Sequence, residues 1–391
     1  MTLSNPFLCE AISQIIAISP QKRITFAEYM DLVLYHPEHG YYSTKAANIG
    51  KQGDFFTSVH LGSDFGELLA EQFVHMWEVL GRPTPFSLVE MGAGQGLLAL
   101  DIVSYVKQQY SDFFHAIDYV IVEKSSLLKG LQQQRLQEFS VRWCSLEEIP
   151  KNSVIGCFFS NELVDAFPVH QFVVQQGQIL EVYVTSALSS SFPFTELIDT
   201  PSTPQLVEYF DLVGVDVSGY IDEYRSEVNL AALHWLSTVA ECLQRGYLLT
   251  IDYGYPAHRY YNPRRSQGTL QCYYQHHRHN DPYINIGEQD ITAHVDFTAL
   301  ERWGEKCGLV KVGFTEQALF LMALGLGARI ASISYTQQPV SQLLKRRDAL
   351  HQLLDPLGLG GFGVLAQSKG LTKEEAAQPL RGFIVPELKE I

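Results

Sequence analysis

Apolar positions in the first 85 residues recur every three or four residues, which is the spacing of amphipathic helices. The clearest stretches are residues 26–34 and 65–80, and the Gly- and aromatic-rich segment between them is too irregular for one element. Pro83 and Pro85 then interrupt the pattern. The sequence therefore predicts an N-terminal helical extension over residues 1–85.

Beyond residue 85, short apolar runs alternate with segments of helical spacing. Apolar runs separated by helices are typical of strands in a parallel sheet that is covered on both faces. The predicted strands are residues 86–91, 119–122, 141–144, 155–159 and 247–251, and the predicted helices between them include 97–109 and 127–139. The pattern predicts an α/β fold with a doubly wound sheet.

The domain boundaries follow from where this alternation stops and resumes. We assign the sheet domain to residues 86–185 and 231–391, because strand-like runs return near residues 247, 309 and 363. The stretch 186–230 opens with many Ser, Thr and Pro residues, so it is predicted to be an insertion. The aromatic, turn-rich stretch 253–287 follows a predicted strand end, where open α/β sheets bind their ligands.

Charge narrows the classes of partner. The 391 residues include 28 Lys and Arg against 43 Asp and Glu, a formal charge of −15. Nucleic-acid binding needs a basic face, so no nucleic-acid partner is expected. An acidic surface attracts cationic partners such as basic peptides or a positively charged cofactor.

The cysteines, the apolar runs and the first residues of the chain indicate where in the cell the protein is expected. The six cysteines form no CxxC pair, which favours buried, reduced thiols. The longest apolar run, residues 318–328, is eleven residues long, whereas a membrane span needs about 20. The first Lys is Lys22, and the start of the chain shows neither a secretory signal nor an arginine-rich transit peptide. We therefore expect a cytoplasmic protein without a membrane span.

The strongest local motif is Glu-Met-Gly-Ala-Gly-Gln-Gly at residues 90–96, where a predicted strand enters a glycine turn before a helix. Gly92, Gly94 and Gly96 let the backbone approach a ligand closely. A carboxylate at Glu90 is unfavourable beside a pyrophosphate and favourable beside a cation. S-adenosylmethionine carries a sulfonium and an ammonium group but no phosphate, so the motif favours this cofactor over a dinucleotide.

Two further acidic residues follow predicted strands. Glu123 comes about 27 residues after Gly96, where a carboxylate can accept hydrogen bonds from both ribose hydroxyls. Glu147 follows the third strand and is predicted to lie beside the adenine, although opening a helix or facing solvent is an equal alternative. Each motif alone also fits a structural turn or a dinucleotide site, and only their combination favours S-adenosylmethionine.

The fourth predicted strand ends in a polar cluster. Asn161, Glu162 and Asp165 stand at the carboxyl end of a central strand, which faces the ligand crevice of such sheets. We predict that these three are the catalytic residues and that Asn161 also contacts the cofactor. Asp54 and Asp296 are alternatives to the two carboxylates, and Asp296 serves equally well as a helix cap.

Longer blocks resemble the MidA-like family of S-adenosylmethionine-dependent methyltransferases nearly end to end. The most specific are Gly-Asp-Phe-Phe-Thr-Ser at residues 53–58 and Asn-Glu-Leu-Val-Asp-Ala-Phe-Pro-Val at 161–169. The other matching blocks are residues 37–42, 65–67, 90–96 with Asp101, 251–254, 290–297 and 367–370.

The resemblance implies a class I (Rossmann-like) seven-strand methyltransferase core whose N-terminal extension covers the cofactor site. It implies that the block 53–58 closes over the cofactor, which adds Gly53, Asp54 and Ser58 to the predicted cofactor-binding residues. It also implies an arginine acceptor in a partner protein, since the mitochondrial members act on a respiratory complex I subunit. The chain departs from the family at Val59-His60, where Pro-Glu is usual, and this pair bears on acceptor specificity.

Three functions remain open from the residues. The first is a protein arginine methyltransferase. The second is a nicotinamide-dependent oxidoreductase, against which Glu90 and the short glycine spacing argue. The third is an assembly chaperone that retains S-adenosylmethionine without catalysis, which the sequence hardly separates from the first. No metal site is predicted, because the His-rich run at residues 276–279 lacks the spacing of a preformed site. The sequence makes no prediction of oligomeric state.

Overall fold

Helices dominate the first eighty residues and alternate with strands thereafter. The computed structural model describes residues 4–45, 57–187, 193–275, 277–333 and 339–384. Up to the end of the fifth strand the elements are α1 (Pro6–Ile18), β1 (Ile24–Thr25), α2 (Phe26–Tyr35), α3 (Tyr41–Thr44), α4 (Asp64–Val79), β2 (Phe86–Met91), α5 (Leu97–Gln109), α6 (Ser111–Ala116), β3 (Ile117–Val122), α7 (Ser126–Arg135), β4 (Val141–Cys144) and β5 (Val154–Asn161).

The second part of the chain adds an antiparallel segment before it returns to alternation. Its elements are β6 (His170–Gln175), β7 (Gln178–Ser186), β8 (Phe194–Asp199), α8 (Gln205–Val213), β9 (Tyr224–Val228), α9 (Leu230–Cys242), β10 (Leu243–Asp252), β11 (Gly254–Tyr255), α10 (Ala257–Tyr260), β12 (Gln271–Tyr274), β13 (His277–His279), β14 (Asp290–Thr292), β15 (Val295–Asp296), α11 (Phe297–Lys306), β16 (Val310–Glu316), α12 (Gln317–Ala323), α13 (Leu326–Ser332), α14 (Val340–Gln352), β17 (Gly363–Lys369) and α15 (Lys373–Ala376).

A seven-stranded sheet in the order β16-β17-β10-β5-β2-β3-β4 forms the centre of the molecule. Strand β17 is antiparallel to both of its neighbours, and every other pairing in the sheet is parallel. Helices α4, α5 and α12 bury their apolar sides on one face, and α9 and α11 on the other. This arrangement confirms the predicted α/β class and its seven-strand core.

The register of the central strands brings their carboxyl ends together. Met91 at the end of β2 pairs with Val122 of β3 on one side and with Ser160 of β5 on the other. Asn161 in turn pairs with Ile251 of β10. The residues that follow these strands therefore meet at one edge of the sheet, which is where the sequence places the acidic motifs.

Most strands of a second sheet come from the part of the chain between β5 and α9. Strands β6, β7, β8 and β9 pair antiparallel, and the short β1 joins the edge of β7 through Ile24 and Val184. Helices α1 and α2 pack their apolar sides against this sheet and not against the central one. The antiparallel segment spans residues 170–228, so it starts before the insertion boundary of 186 that the composition indicates.

The stretch after β10 forms small sheets of its own. Strand β12 pairs antiparallel with both β13 and β14, and β11 pairs with β15. The apolar run at residues 318–328 is divided between α12 and α13 at Gly325, whose φ is +108°. Among the described helices none is both long and apolar enough to cross a membrane.

Candidate functional site

A cavity of about 340 Å³, here called the inner cavity, opens at the carboxyl ends of β2, β3 and β5. Residues from the first part of the chain, including Tyr35 and Tyr42, cover it. Its wall is made of Tyr35, Pro37, Tyr42, Ser43, Thr57, Val59, His60, Glu90, Gly92, Ala93, Gly94, Gln95, Leu97, Leu98, Glu123, Lys124, Ser125, Ser126, Leu128, Asn161, Glu162, Leu163 and Ala166.

The glycine turn has the shape that the sequence indicates. Gly92, Gly94 and Gly96 have φ values of +72°, +51° and +74°, in the left-handed region that other residues rarely adopt. A Cβ on Gly94 would meet no atom within 4 Å, whereas one on Gly92 would lie 2.7 Å from a methyl carbon of Leu163. Gly92 and Gly94 line the inner cavity, while Gly96 begins α5 outside its wall.

Glu90 is buried at the end of β2 beside this turn. The hydroxyl of Tyr119 donates to its carboxylate at 2.6 Å. Burial raises the pKa of Glu90 to about 7, against the effect of the Tyr119 hydrogen bond, and nearby Glu123 raises it further. A buried carboxylate in this state gains most from a cationic ligand group, because a cation offsets its desolvation.

Glu123 is held by a network that the sequence analysis missed. The backbone N–H of Ser125 donates to it at 2.8 Å, and the side-chain amide of Gln132 donates to its other oxygen at 2.9 Å. The same amide donates to the carbonyl of Gly94, and its oxygen accepts from the indole of Trp143 at 3.0 Å. Fully buried Gln132 therefore joins the glycine turn to Glu123. It is the first of three consecutive glutamines, so no local signal distinguished it.

Glu162 stands where the inner cavity meets a second one. Its φ is +53°, and its backbone N–H donates to the carbonyl of Ile251 at 2.9 Å. Its carboxylate accepts from the Asn161 side chain at 3.1 Å and from the backbone N–H of Ser58. Burial raises the pKa of Glu162 to about 8, and nearby Asp165 contributes to the rise. Only extensive surrounding contacts maintain a non-glycine residue in this conformation.

Asp252 at the end of β10 holds the turn that carries Glu162 and Asp165. One carboxylate oxygen accepts from the backbone N–H groups of Leu163, Val164 and Asp165 at 3.2, 2.9 and 3.3 Å. Burial raises the pKa of Asp252 well above its usual range, and the nearby Asp165 and Glu162 carboxylates add to this. The sequence analysis did not select Asp252 as a site residue, although its place at a strand end beside a matching block was visible.

Asp165, which is buried, forms a group of three neighbouring carboxylates with half-buried Glu162 and buried Asp252. Burial raises its pKa to about 6, and the neighbouring Tyr253 hydroxyl acts in the opposite direction. One oxygen of Asp165 and the side-chain oxygen of Asn161 are buried without a hydrogen-bond partner among the described residues. Unsatisfied buried acceptors next to a cavity are suited to a ligand that brings hydrogen-bond donors.

The second cavity, here called the outer cavity, has a volume of about 870 Å³ and shares Tyr42 and Glu162 with the inner one. Its wall combines acidic, basic and aromatic side chains from the small sheets and from the stretch before β17. It is lined by Tyr42, Glu162, Asp165, Tyr253, Gly254, Tyr255, Pro256, Arg259, Tyr273, Arg278, Asp290, Thr292, His294, Phe314, Glu316, Gln352, Asp355, Pro356, Leu357, Gly358, Leu359, Gly361, Phe362 and Gly363.

The other predicted residues have different places. Glu147 is exposed on the turn after β4 and lines neither cavity. Ser58 is buried and accepts a hydrogen bond from Gln317 at 3.2 Å. Asp296 caps α11, accepting from the N–H groups of residues 298 and 299, and lines neither cavity. Gly53, Asp54 and His276 lie outside the described residues.

The pair that departs from the family pattern lies at the inner cavity. Val59 and His60 line its wall and do not line that of the outer cavity. The ring of His60 is hydrogen-bonded to the hydroxyl of Thr57 at 2.8 Å. The Val59-His60 pair therefore contacts the space beside the glycine turn.

The family of the chain follows from a comparison with known proteins. Residues 68–315 match the family model for S-adenosyl-L-methionine-dependent methyltransferases. The chain belongs to this family, and the residues of the inner cavity agree with that cofactor. Gly94 has open space where a Cβ would stand, and Glu90 and Glu123 place two carboxylates in the wall of this cavity.

Curated relatives give a more particular comparison. A Drosophila melanogaster protein named mitochondrial protein arginine methyltransferase NDUFAF7 homolog is 30% identical over 92% of this chain and 85% of its own length. The Mus musculus protein arginine methyltransferase NDUFAF7 is 30% identical, over 78% of this chain and 72% of its own length. The Homo sapiens protein is 28% identical, over 86% and 78%.

A solved structure agrees in fold and ligand. A Burkholderia thailandensis protein bound to S-adenosyl-homocysteine superimposes with a TM-score of 0.82 and 28% identity, covering 96% of this chain and 94% of its own. The protein is therefore an S-adenosylmethionine-dependent methyltransferase, as predicted. The nicotinamide-dependent alternative is not supported.

The predicted cytoplasmic localisation is wrong. The curated relatives are named as mitochondrial proteins, which contradicts it. The prediction relied on cysteine usage and on the first residues of the chain. Sorting depends on signals that cellular receptors recognise, and a folded domain's composition does not record them.

Proposed function

We propose that the protein transfers methyl groups from S-adenosylmethionine to a side-chain nitrogen of an arginine in a partner protein. The observation that supports this most is a group of three neighbouring carboxylates: half-buried Glu162 lines both cavities, buried Asp165 lines the outer one, and buried Asp252 holds the turn that carries them. A guanidinium group is planar and always charged, and carboxylates bind it through paired hydrogen bonds. The curated relatives named protein arginine methyltransferases support the same acceptor.

The residues of the inner cavity would hold the cofactor. Glu90 and Glu123 would accept from its ammonium and ribose hydroxyl groups, Gly92 and Gly94 would allow its close approach, and Asn161 would contact it near Glu162. When bound, S-adenosylmethionine supplies a methyl group on a sulfonium, which is a good leaving group. The protein's own contribution is orientation, which can supply about 7–11 kcal/mol of a barrier.

The carboxylates would orient the acceptor. Free deprotonation of arginine is rare at neutral pH because its pKa exceeds about 12. Glu162 and Asp165 would pair with the guanidinium, direct one nitrogen towards the inner cavity and accept the proton that methylation releases. The raised pKa values of both groups suit this task, because a carboxyl that holds a proton while the site is empty ionises more readily when a cation enters. Asp252 would act through the turn it holds.

We propose a general class of partner and, within it, a particular partner. A protein carrying an accessible arginine is supported by the width of the outer cavity and by the formal charge of −15, which attracts basic partners. A respiratory complex I subunit is supported only by the resemblance to the family's mitochondrial members.

The test is the identity of the methylated residue. Purified protein would be incubated with tritiated S-adenosylmethionine and a protein extract from cells lacking the gene, and the labelled proteins hydrolysed to amino acids. We expect label in methylarginine, and none with a Gly94→Val variant. Label in methyllysine or in small molecules alone would contradict the arginine acceptor. Binding of S-adenosylhomocysteine without any transfer would indicate a chaperone that only retains the cofactor.

A further inference from the structure

Three side chains form a row across the small sheet that borders the outer cavity. Tyr273 of β12 is paired directly with Arg278 of β13 on one side and with Asp290 of β14 on the other. Residues paired directly across antiparallel strands lie on the same face. All three line the outer cavity, so this face of the sheet is part of its wall.

The charge along this row is negative at one end and positive at the other. Asp290 is buried and accepts a hydrogen bond from Tyr42 at 3.0 Å, next to the junction with the inner cavity. Arg278 at the opposite end is exposed. Burial raises the pKa of Tyr273; the field of Arg278 acts in the opposite direction, and Asp165 and Asp290 add to the rise. Tyr273 therefore separates an acidic inner end of the outer cavity from a basic outer end.

Arg278 has no ion-pair partner among the residues that the structure describes. The cavity's other acidic residues, Glu316 and Asp355, come from different elements and do not pair with it. A second cation, Arg259, lines the same cavity, with its guanidinium 4.8 Å from the ring centre of Tyr255. Arg278 thus presents, at the outer end of the row, a positive charge that no ion pair within the described part of the protein neutralises.

The spacing of the row matches that of a peptide. Neighbouring strands lie about 4.8 Å apart, so the backbones of Arg278 and Asp290 are separated by about 10 Å. An extended peptide advances about 3.3 Å per residue. About three residues of such a peptide span this distance, so if the acceptor side chain reaches the acidic end, side chains two or three positions away pass within reach of Arg278.

We propose that the outer cavity selects arginines that have a carboxylate two or three positions away, and that Arg278 binds this carboxylate. The inference rests on the proposed arginine acceptor and adds a specificity-determining residue to it. The carboxylate belongs to an Asp or Glu side chain, or to the C-terminus of the acceptor chain. The guanidinium of Arg278 donates hydrogen bonds to this carboxylate. An acceptor arginine with neutral neighbours would gain no binding free energy from Arg278.

The experiment uses a peptide library made by cleaving a protein extract after lysine. The library would be treated with the enzyme and S-adenosylmethionine carrying a deuterated methyl group, and methylarginine peptides identified by mass spectrometry. For the unmodified enzyme we expect about tenfold enrichment of carboxylates two or three positions from the methylated arginine. Enrichment of Asp and Glu indicates a side chain, and enrichment near peptide ends indicates the C-terminus.

The variants distinguish a specific contact from general charge. Arg278→Glu should lose the enrichment and favour basic neighbours, and Arg278→Gln should lose it without favouring them. Arg264→Glu, an exposed arginine of the same region outside the cavity wall, should keep the original preference. Unchanged preference in both Arg278 variants, or methylarginine with no flanking preference, would overturn this inference alone. Absence of methylarginine in all peptides would overturn the proposed arginine acceptor as well.

Discussion

The carboxylate of Asp252 accepts a hydrogen bond from the backbone N–H of Val164 at 2.9 Å, and so joins the end of β10 to the turn after β5. The same oxygen accepts from the two flanking N–H groups, at residues 163 and 165. One side chain thereby fixes the backbone on which Glu162 and Asp165 are carried. The acidic junction of the two cavities depends on this contact between segments almost ninety residues apart in sequence.

Replacement of Asp252 should therefore disturb the fold and the proposed catalytic residues together. Asp252→Ala leaves three backbone N–H groups without this acceptor. Each group that stays unpaired should lower the free energy of unfolding by about 1–3 kcal/mol. Asp252→Asn keeps one oxygen to accept from them and should be milder. Urea unfolding would measure both variants. Equal stability of Asp252→Ala and the unmodified protein would contradict this role.

Glu162→Gln should separate cofactor binding from turnover. The amide keeps the size of the side chain but cannot take up a proton, and the loss of a general base lowers rates by about a hundredfold or more. We expect the affinity for S-adenosylhomocysteine, measured by calorimetry, to change little. Asp296→Asn is the matched control, because it alters a buried cap outside both cavities and should leave turnover intact. Unchanged turnover in Glu162→Gln would remove this residue from the mechanism.

Stability should decrease as the pH rises through the range in which Glu162 titrates. Its carboxyl ionises near pH 4.5 in the unfolded chain but, since its pKa in the folded protein is about 8, stays protonated there at higher pH. The unfolded state therefore binds fewer protons between these values, and the free energy of unfolding falls as pH rises. Each unit of difference between the pKa values of the folded and unfolded states changes the free energy of unfolding by about 1.4 kcal/mol.

Urea unfolding at pH 5 and pH 8, without cofactor, would measure this contribution. Glu162→Gln should show a smaller decrease than the unmodified protein, because it has no proton to exchange at this position. Glu147→Gln, at an exposed carboxylate, should show the full decrease. A decrease of the same size in Glu162→Gln would show that this carboxyl is already ionised in the folded protein.

Cofactor affinity should depend on Glu123 and not on Glu147. Glu123 lines the inner cavity and is held by two hydrogen bonds, whereas Glu147 is exposed outside it. We expect Glu123→Ala to weaken S-adenosylhomocysteine binding at least about tenfold, the value of one hydrogen bond to a charged group. Glu147→Ala should stay within about twofold, as is usual for surface substitutions. A large loss in Glu147→Ala would restore the predicted adenine contact.

Gly94→Val should abolish cofactor binding. The new side chain would project into open space beside the glycine turn, at a φ of +51°. Gly308→Val provides the matched control, since Gly308 also has a positive φ and open space but does not line the inner cavity. Both variants carry a backbone cost of about 1–2 kcal/mol. Thermal unfolding should shift similarly in both, and only Gly94→Val should lose S-adenosylhomocysteine binding.

Local patterns determined the central elements well. The predicted strands at 86–91 and 141–144 and the helix at 97–109 have the bounds found in β2, β4 and α5. These elements are defined by the period of their own apolar residues, and both faces of the sheet are buried, so the signal is strong. The acidic residues at the ends of β2, β3 and β5 could be placed for the same reason.

Other features could be decided only by packing between distant segments. The pairing of Ile24 with Val184 joins the N-terminal extension to the second sheet, and no local period indicates such a partner. Gln132 and Asp252 become site residues only because helix α7 and strand β10 bring them to the glycine turn and to the turn after β5. Periodicity reports which face of an element is buried, but not which element covers it.

The sequence by itself determined the fold class, the cofactor and the family, because each is encoded in short segments whose residues act on their immediate neighbours. The tertiary structure alone decided which carboxylates share a cavity, and it left Glu147 outside. It also determined which carboxylates stay protonated, since desolvation depends on everything that surrounds a group. The basic end of the outer cavity likewise arises from cross-strand register, which sets Arg278 beside Tyr273.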